Sequence, residues 1–436
     1  VTFLTACAAA VAVAAPAGTW STQVVLASSA YSGTVALDAA GNMTSVWYQY
    51  QTPGGATVDQ IWASTAAFGQ HWSAPVDISG TIGVASGNPS VRGSASGNAT
   101  AIYTSPTTGG AIYVDHPSGG NWGAPGSTNG NNQFYVSNDK GDEGLAWGTG
   151  GARASSSTVD AVVRPAGGAW SAATTIATGV HLVFDGSVMA PDGTMAVAWE
   201  SFDSTCGSRT CKTSNWVLHV STRAPGAQAW VDSGGLLGPS ATQQFGQLAA
   251  DSVGNIGVIS LSGGNLVSVV RHTNVWSGPA TVAPLTAISF YTGTGRDNRV
   301  YASDANGHAT VVSWNPGLFS LVEVDGNLVT NTWGTVTTIS GHDQNPNYFD
   351  FAMSSTGAAI AFYSVAGANG NSIWRAATRA GTGMPWNGPA TAGTSFEGGG
   401  TPEGVAINAA GEAVVVFHGY SSDYLTYILY TNTYRP

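Results

Sequence analysis

Charge is what this chain has least of. Only 8% of its 436 residues are Asp, Glu, Lys or Arg, against roughly a quarter in an average soluble protein. Basic residues are the scarcer kind: 13 Lys plus Arg stand against 24 Asp plus Glu, a formal net charge of −11. A nucleic-acid binder needs a cationic footprint to neutralise phosphates, so that class is excluded. Attachment to anionic lipid through a basic patch is excluded on the same ground. Beyond the first 17 residues no apolar run recurs at helical spacing between caps, which argues against long helices. Neither a nucleophile elbow G-x-S-x-G with a partner set nor an H-E-x-x-H zinc helix occurs. The eight His, at 71, 116, 181, 219, 272, 308, 342 and 418, are scattered. They show none of the local pairing usual for metal ligands. No cofactor is expected.

Cysteine is also scarce, with three copies. Cys206 and Cys211 flank a Gly-containing loop. They are read as a local disulfide of an oxidising compartment or, alternatively, as two free thiols. Cys7 is the odd one out. It lies in an uncharged stretch, residues 1–17, that is too short for a confident transmembrane helix. This stretch has two export readings. One is the apolar part of a secretory signal with a small-residue site at Ala15-Pro16-Ala17; the other is a lipobox-like Leu4-Thr5-Ala6-Cys7 that would carry lipid. A third reading makes it an inter-subunit tail. Val1, Phe3, Leu4, Cys7, Val11 and Val13 would then be buried on a neighbouring copy, as strand or helix, giving a homo-polymer. All three place the protein outside the cell or at its surface.

What the chain does have is glycine, 59 residues, and tryptophan, 15 residues. That mixture suits many short strands joined by tight turns. Eight tryptophans open the same kind of segment, often W-S-x-P: Trp20, Trp72, Trp122, Trp170, Trp230, Trp276, Trp333 and Trp386. Their spacing, near fifty residues, is in the range of propeller blades. Between them recurs a turn of the form D-x-x-G-N, as at Asp38–Asn42 and Asp251–Asn255. Ser94, Asp304, Ser354 and Asn408 open variants of it. Asp, Asn or Ser starts such a turn, and Gly supplies the positive φ. Six residues after the Gly stands a bulky residue: Trp47, Tyr103, Trp147, Trp199, Tyr363 or Phe417. Two repeats have Ser260 and Ser313 there instead.

Each repeat reads as four antiparallel strands, and radial repetition of such units is a β-propeller. The third strands are expected at Val58–Thr65, Ala111–Asp115, Thr158–Arg164, Trp216–Thr222, Leu266–His272 and Leu318–Asp325, with the fourth starting at the marker tryptophan. The last repeat supplies only three strands, while Trp20 precedes the first turn with no blade before it. The fold is therefore expected to be an all-β, eight-bladed propeller spanning residues 18–436. Its ring would be closed by the N-terminal strand, with Trp20, Val24 and Val25 lying against Tyr427 and Leu429.

The D-x-x-G turns and W-S-x-P segments resemble the repeats of secreted bacterial propellers grouped with sialidases, over nearly all of residues 20–433. The sialidase box has one residue between Asp and Gly, whereas this chain has two. The Arg-Ile-Pro segment of those enzymes is not found near the N-terminus, so the resemblance does not extend to their active site. The W-S-G/A-P segments are also similar to those of seven-bladed sugar-binding propellers, which implies a carbohydrate ligand held between blades by Trp, Arg and Glu.

Candidate sites remain few. Arg296, Arg299, Arg375 and Arg379 are the clustered arginines, suited to a sugar or carboxylate ligand or, alternatively, to ion pairing at blade rims. Glu200, Asp203, Asp350, Glu397 and Glu403 are the carboxylates from which a glycosidase pair would have to come. Asn138-Asp-Lys-Gly-Asp142-Glu143 offers oxygens for calcium, or is simply the third repeat's turn. The marker tryptophans would stack on sugars or pack between blades. Two functions follow: a self-assembling surface subunit, or a carbohydrate-binding propeller. A glycan-cleaving enzyme is a weaker third.

Overall fold

The computed structural model describes residues 18–51, 58–80, 89–105, 109–128, 130–131, 134–150, 154–207, 210–288, 300–315, 317–341, 349–367, 371–395, 402–420 and 426–436. The tail residues Val1, Phe3, Leu4, Cys7, Val11 and Val13 lie outside them, as do Arg296, Arg299, Glu397 and His342.

The repeats fold as eight antiparallel sheets arranged as an eight-bladed propeller. The innermost strands, in blade order, are Ala30–Leu37, Ser90–Gly93, Phe134–Ser137, Leu182–Met189, Gln247–Ala250, Tyr301–Ser303, Phe349–Met353 and Pro402–Ile407. Each touches the next in an unbroken circle, with Pro402–Ile407 meeting Ala30–Leu37. Blade eight takes its outer strands from the N-terminus. Thr19 and Trp20 pair with Arg435 and Tyr434, and Val24–Ser28 pairs with Thr431–Ile428. Leu429 faces Ala27 and is fully buried, whereas Val24 and Val25 look outward. Tyr427 accepts at its carbonyl from the Ser29 N–H.

The recurring turn has a direct physical reason. In blade one the Asp38 carboxylate accepts from the N–H groups of Ala40 and Asn42 at 2.9 and 2.7 Å, and Gly41 sits at φ +85°. Asp251, Asp304, Asn138 and Asn408 repeat the arrangement. An oxygen two atoms from Cβ closes the loop, and only glycine takes the left-handed position without a steric penalty. Blade four has Ala190 at the first position, and Asp192 takes over by capping the N–H of Thr194 at 2.7 Å.

The eight marker tryptophans all do the same work. Eight apolar clusters fill the eight seams between blades, and each marker packs on the seam before its own blade. Each is half-buried there, which contributes about 1–2 kcal/mol. The residues six beyond the turn glycine, from Trp47 to Phe417, are buried in these seams.

The fourth strand departs from the expected pattern. Only Trp20, Trp276 and Trp333 lie within strands; the other markers precede theirs. Where a serine follows the marker, pairing is interrupted at that serine. The hydroxyls of Ser21, Ser73, Ser171 and Ser277 accept hydrogen bonds from the third-strand N–H groups of Thr433, Thr65, Val163 and Val270 at 3.1 Å. A side-chain oxygen thus stands in for a ladder carbonyl and breaks regular pairing. The third strand of blade six also begins later than expected, at Ser320, because Phe319 takes a positive φ.

Candidate functional site

A channel of about 510 Å³ runs along the axis, walled by the innermost strands of blades two to seven. Its aromatic wall is set by Phe134, Phe184 and Phe245. Phe134 is 43% exposed and meets Phe184 edge to face at 5.1 Å. Polar groups on the wall include Arg92, Asp185, Gln243 and Gln247.

Asp185 reaches the wall through an irregularity. Phe184 pairs with Trp199 and Gly186 with Ala198, so Asp185 is the extra residue of a β-bulge, a device that re-aims a side chain. Glu200, on the second strand, is fully buried near it. Three consecutive amides clasp the pair. The N–H groups of Gln244 and Phe245 each donate to Glu200 Oε1 at 2.7 Å, and Gly246 N–H donates to Asp185 at 3.1 Å. Phe245 lies at φ +56°, which turns these amides inward. Burial pushes the Glu200 carboxyl up to about 7 against the pull of those amides. Burial, and then the neighbouring Glu200, hold the Asp185 carboxyl well above its ordinary range. The site therefore offers a carboxyl that keeps its proton where ordinary carboxylates have lost theirs.

Blade eight carries the counterpart across the ring. Glu403 stands at the matching bulge, between Pro402 and Gly404, and Gly33 N–H donates to it at 3.3 Å. His418 occupies the position of Glu200, seven residues after the turn glycine, and pairs with Glu403 through Nδ1. The same scaffold thus holds two acids in one blade and an acid with a base in the other.

Of the carboxylates named from sequence, Glu397 lies outside the described residues, and no two of the other four are paired with one another. Glu200 joins Asp185, which sequence reasoning missed, and Glu403 joins His418. Asp203 accepts from Asn215 on the outlying hairpin, and Asp350 is buried on its own strand. No sequence signal marked Asp185, since a bulge is set by pairing and not by composition.

Arg379 is committed elsewhere. Its side chain is fully buried between blades six and seven. There Nη1 meets Glu323 at 2.8 Å and Asp325 at 3.0 Å, Nη2 donates to Thr310, and the guanidinium lies over marker Trp386. Its charge is thus matched by two carboxylates, the ion pairing weighed as the alternative to a ligand role. Arg375 lies one strand from the blade edge, opposite Tyr363.

Arg164 builds the same lock between blades two and three. It meets Asp115 through both Nη atoms at 2.9 and 2.8 Å, Thr100 at 2.9 Å and Glu143 through Nε at 2.5 Å, under marker Trp170. At the Asn138 turn, Asn138 and Asp142 accept from the N–H groups of Lys140, Asp142 and Ala166. Among the described residues no group of three His, Cys, Asp or Glu is arranged for a metal ion. Cys206 and Cys211 are joined by a disulfide at the tip of the long hairpin of blade four, Met195–Cys206 with Cys211–Arg223.

No protein-family model matches the chain, and no curated protein sequence does. Similar solved structures are distant. A protein of unknown function from Dyadobacter fermentans is 10% identical, with 97% of this chain and all of that one covered at a TM-score of 0.42. The β-propeller domain of the Trilobed protease from Pyrococcus furiosus is 7% identical, over 82% and 97% of the two chains at 0.48. The fucose-specific lectin from Aleuria aurantia is 14% identical, over 73% and 98% at 0.37. The likeness is one of fold alone. Among the described residues no helix is long and apolar enough to cross a membrane.

Proposed function

We propose that the protein is an exported propeller that binds a carbohydrate in its central channel. One observation carries this reading: exposed Phe134 and half-buried Phe184 and Phe245 share a wall with Arg92, Asp185, Gln243 and Gln247. Sugars are recognised by apolar ring faces together with planar polar side chains, and a cleft of this size accommodates one or two rings. The raised carboxyl of Asp185 adds a hydroxyl donor to a wall of amides. The Cys206–Cys211 disulfide supports export, since such bonds persist in oxidising compartments. Glycan-array screening followed by calorimetry on the full chain tests the reading. A saturable glycan whose affinity falls about tenfold or more in Phe134→Ala is expected. Absence of any glycan hit at millimolar concentration would remove the proposal.

A second reading is self-assembly through residues 1–17. It is favoured by the place where the described chain starts: Gly18 leads into the outermost strand of blade eight, at the ring's outer edge, beside Tyr434 and Arg435. A segment leaving from that edge is positioned to meet a neighbouring copy. Deletion of residues 1–17 should then leave folded monomers. Polymers that survive the deletion would exclude this route.

A further inference from the structure

We propose that blade four carries a hydrolytic site for a short-chain carboxylic ester, with Ser201 as nucleophile, His219 as base and Asp232 as the residue that orients the base. The three meet in space on adjacent strands. The Ser201 hydroxyl lies 3.3 Å from His219 Nε2, and Asp232 Oδ2 lies 3.5 Å from His219 Nδ1. One imidazole thus has a hydroxyl at one nitrogen and a carboxylate at the other, the arrangement that turns a serine into a nucleophile. Contacts of this length are common before substrate binds and tighten in the transition state.

Strand register produces the grouping. His219 pairs with Trp199, Ser201 stands two residues beyond Trp199, and Asp232 pairs with Ser221, two residues beyond His219. Steps of two keep all of them on one face of the blade. The imidazole is held flat against Trp199, with ring centroids 4.0 Å apart and planes 6° from parallel. Trp199 is itself fixed, since its Nε1 donates to the Ser221 hydroxyl at 3.1 Å.

Asp232 is an addition to the repeat. In blades one, three and five the serine directly after the marker tryptophan donates its N–H to the third strand: Ser73 to Thr65, Ser171 to Val163 and Ser277 to Val270. In blade four the same bond runs from Ser233 to Val220 at 2.9 Å, three residues after Trp230. Val231 and Asp232 are therefore two extra residues, and they bring a carboxylate to the one third strand that has a histidine opposite the seam aromatic. Blade packing requires neither.

Ser201 and His219 line an open depression of about 730 Å³ that shares no described residue with the central channel. Exposed Val180 stands at its rim, and neither Lys nor Arg is among the described residues lining it, which fits an uncharged acyl group. His181 and the hydroxyls of Thr178 and Thr205 line the same depression as donors for an oxyanion. In the reaction, Ser201 Oγ adds to the ester carbonyl carbon as its proton passes to His219 Nε2. The C–O bond to the alcohol then breaks, and that proton leaves with the alcohol. Water repeats the addition with His219 as base, releasing the carboxylic acid and restoring Ser201.

The test is incubation of the full chain with an alkyl fluorophosphonate, followed by peptide mass spectrometry, and separately with p-nitrophenyl acetate and butyrate. A single phosphonyl adduct on Ser201 is expected. Ser201→Ala should lower ester turnover at least about a hundredfold. Asp232→Asn should lower kcat about tenfold or more with KM unchanged, which a merely structural role would not do. An unmodified Ser201 in the folded wild type, or turnover undiminished in Ser201→Ala, would overturn the site. The adduct is read on the wild type, so it decides even where a variant fails to fold. A glycan bound in the channel should be held equally well by Ser201→Ala, which separates this test from that of the channel.

Discussion

Two seams of one ring solve the same problem in different ways. Between blades six and seven, a fully buried arginine takes both carboxylates, Glu323 and Asp325, from the blade before it. Between blades two and three, Arg164 takes Asp115 from the blade before it but Glu143 from its own blade. Tyr113 fills the place of Glu323, and the guanidinium lies over its ring at 5.1 Å. Tyr135 stands where Phe351 stands in the twin, and its hydroxyl serves the relocated glutamate. What is held constant is the pairing of one buried arginine with two carboxylates. Which blade supplies the second one is free, because a buried cation needs matched charge and satisfied donors and not a particular backbone origin.

That comparison can be broken by denaturation experiments. The largest effect is expected between blades six and seven. Arg379→Met removes a fully buried cation from Glu323, 10% exposed, and Asp325, 33% exposed, and should lower unfolding free energy by about 3 kcal/mol. Arg164→Met should lose less, about 2–3 kcal/mol, since Asp115 is 44% exposed and can hydrate. Urea unfolding that ranks the two variants in the opposite order would show that burial does not separate the seams.

Smaller changes sharpen the picture. Met353, whose sulfur lies 3.6 Å from Arg379, is half-buried, so Met353→Ala should lose about 1–2 kcal/mol, less than at a fully buried site. Tyr135→Phe copies the twin's residue while Glu143 stays, leaving a buried glutamate short of one donor. A loss of about 1 kcal/mol is expected, and stability equal to wild type would mean that the hydroxyl does not serve Glu143. Away from both seams, Glu200→Gln should leave their difference untouched and change only the response to pH. The Glu200 carboxyl is raised to about 7, so its protonation favours the folded state. The stability it contributes is present below the ordinary carboxylate range and is lost as pH rises through about 7. Calorimetric melting of the wild type should therefore fall more steeply than that of Glu200→Gln between about pH 4.5 and 7. Parallel curves would remove this account of the blade-four pair.

Much of the fold was legible because its causes are local. A D-x-x-G turn needs an oxygen at one position and a left-handed residue at another, and both are visible as letters. The marker tryptophans were countable, and the missing fourth strand of the last repeat identified how the ring closes. The hydroxyl of W-S-x-P could have been read too, as a side chain able to replace a carbonyl, but its partner lies one strand away. The site was far less legible. Asp185 is an ordinary aspartate until a bulge turns it to the channel. Glu200 is an ordinary glutamate until the amides of Gln244 and Phe245, from the next blade, enclose it. Arg379 looked available for a ligand because its two carboxylates lie more than fifty residues earlier in the chain.

By itself, then, the sequence determined the repeat, the number of blades, the turn chemistry and the strand that closes the ring, all of which depend on residues within about fifty positions of one another or on a simple count. Only the tertiary structure decided which acids meet and which arginines are spent between blades, because closing the ring brings together side chains from adjacent blades whose pairing depends on register, burial and volume.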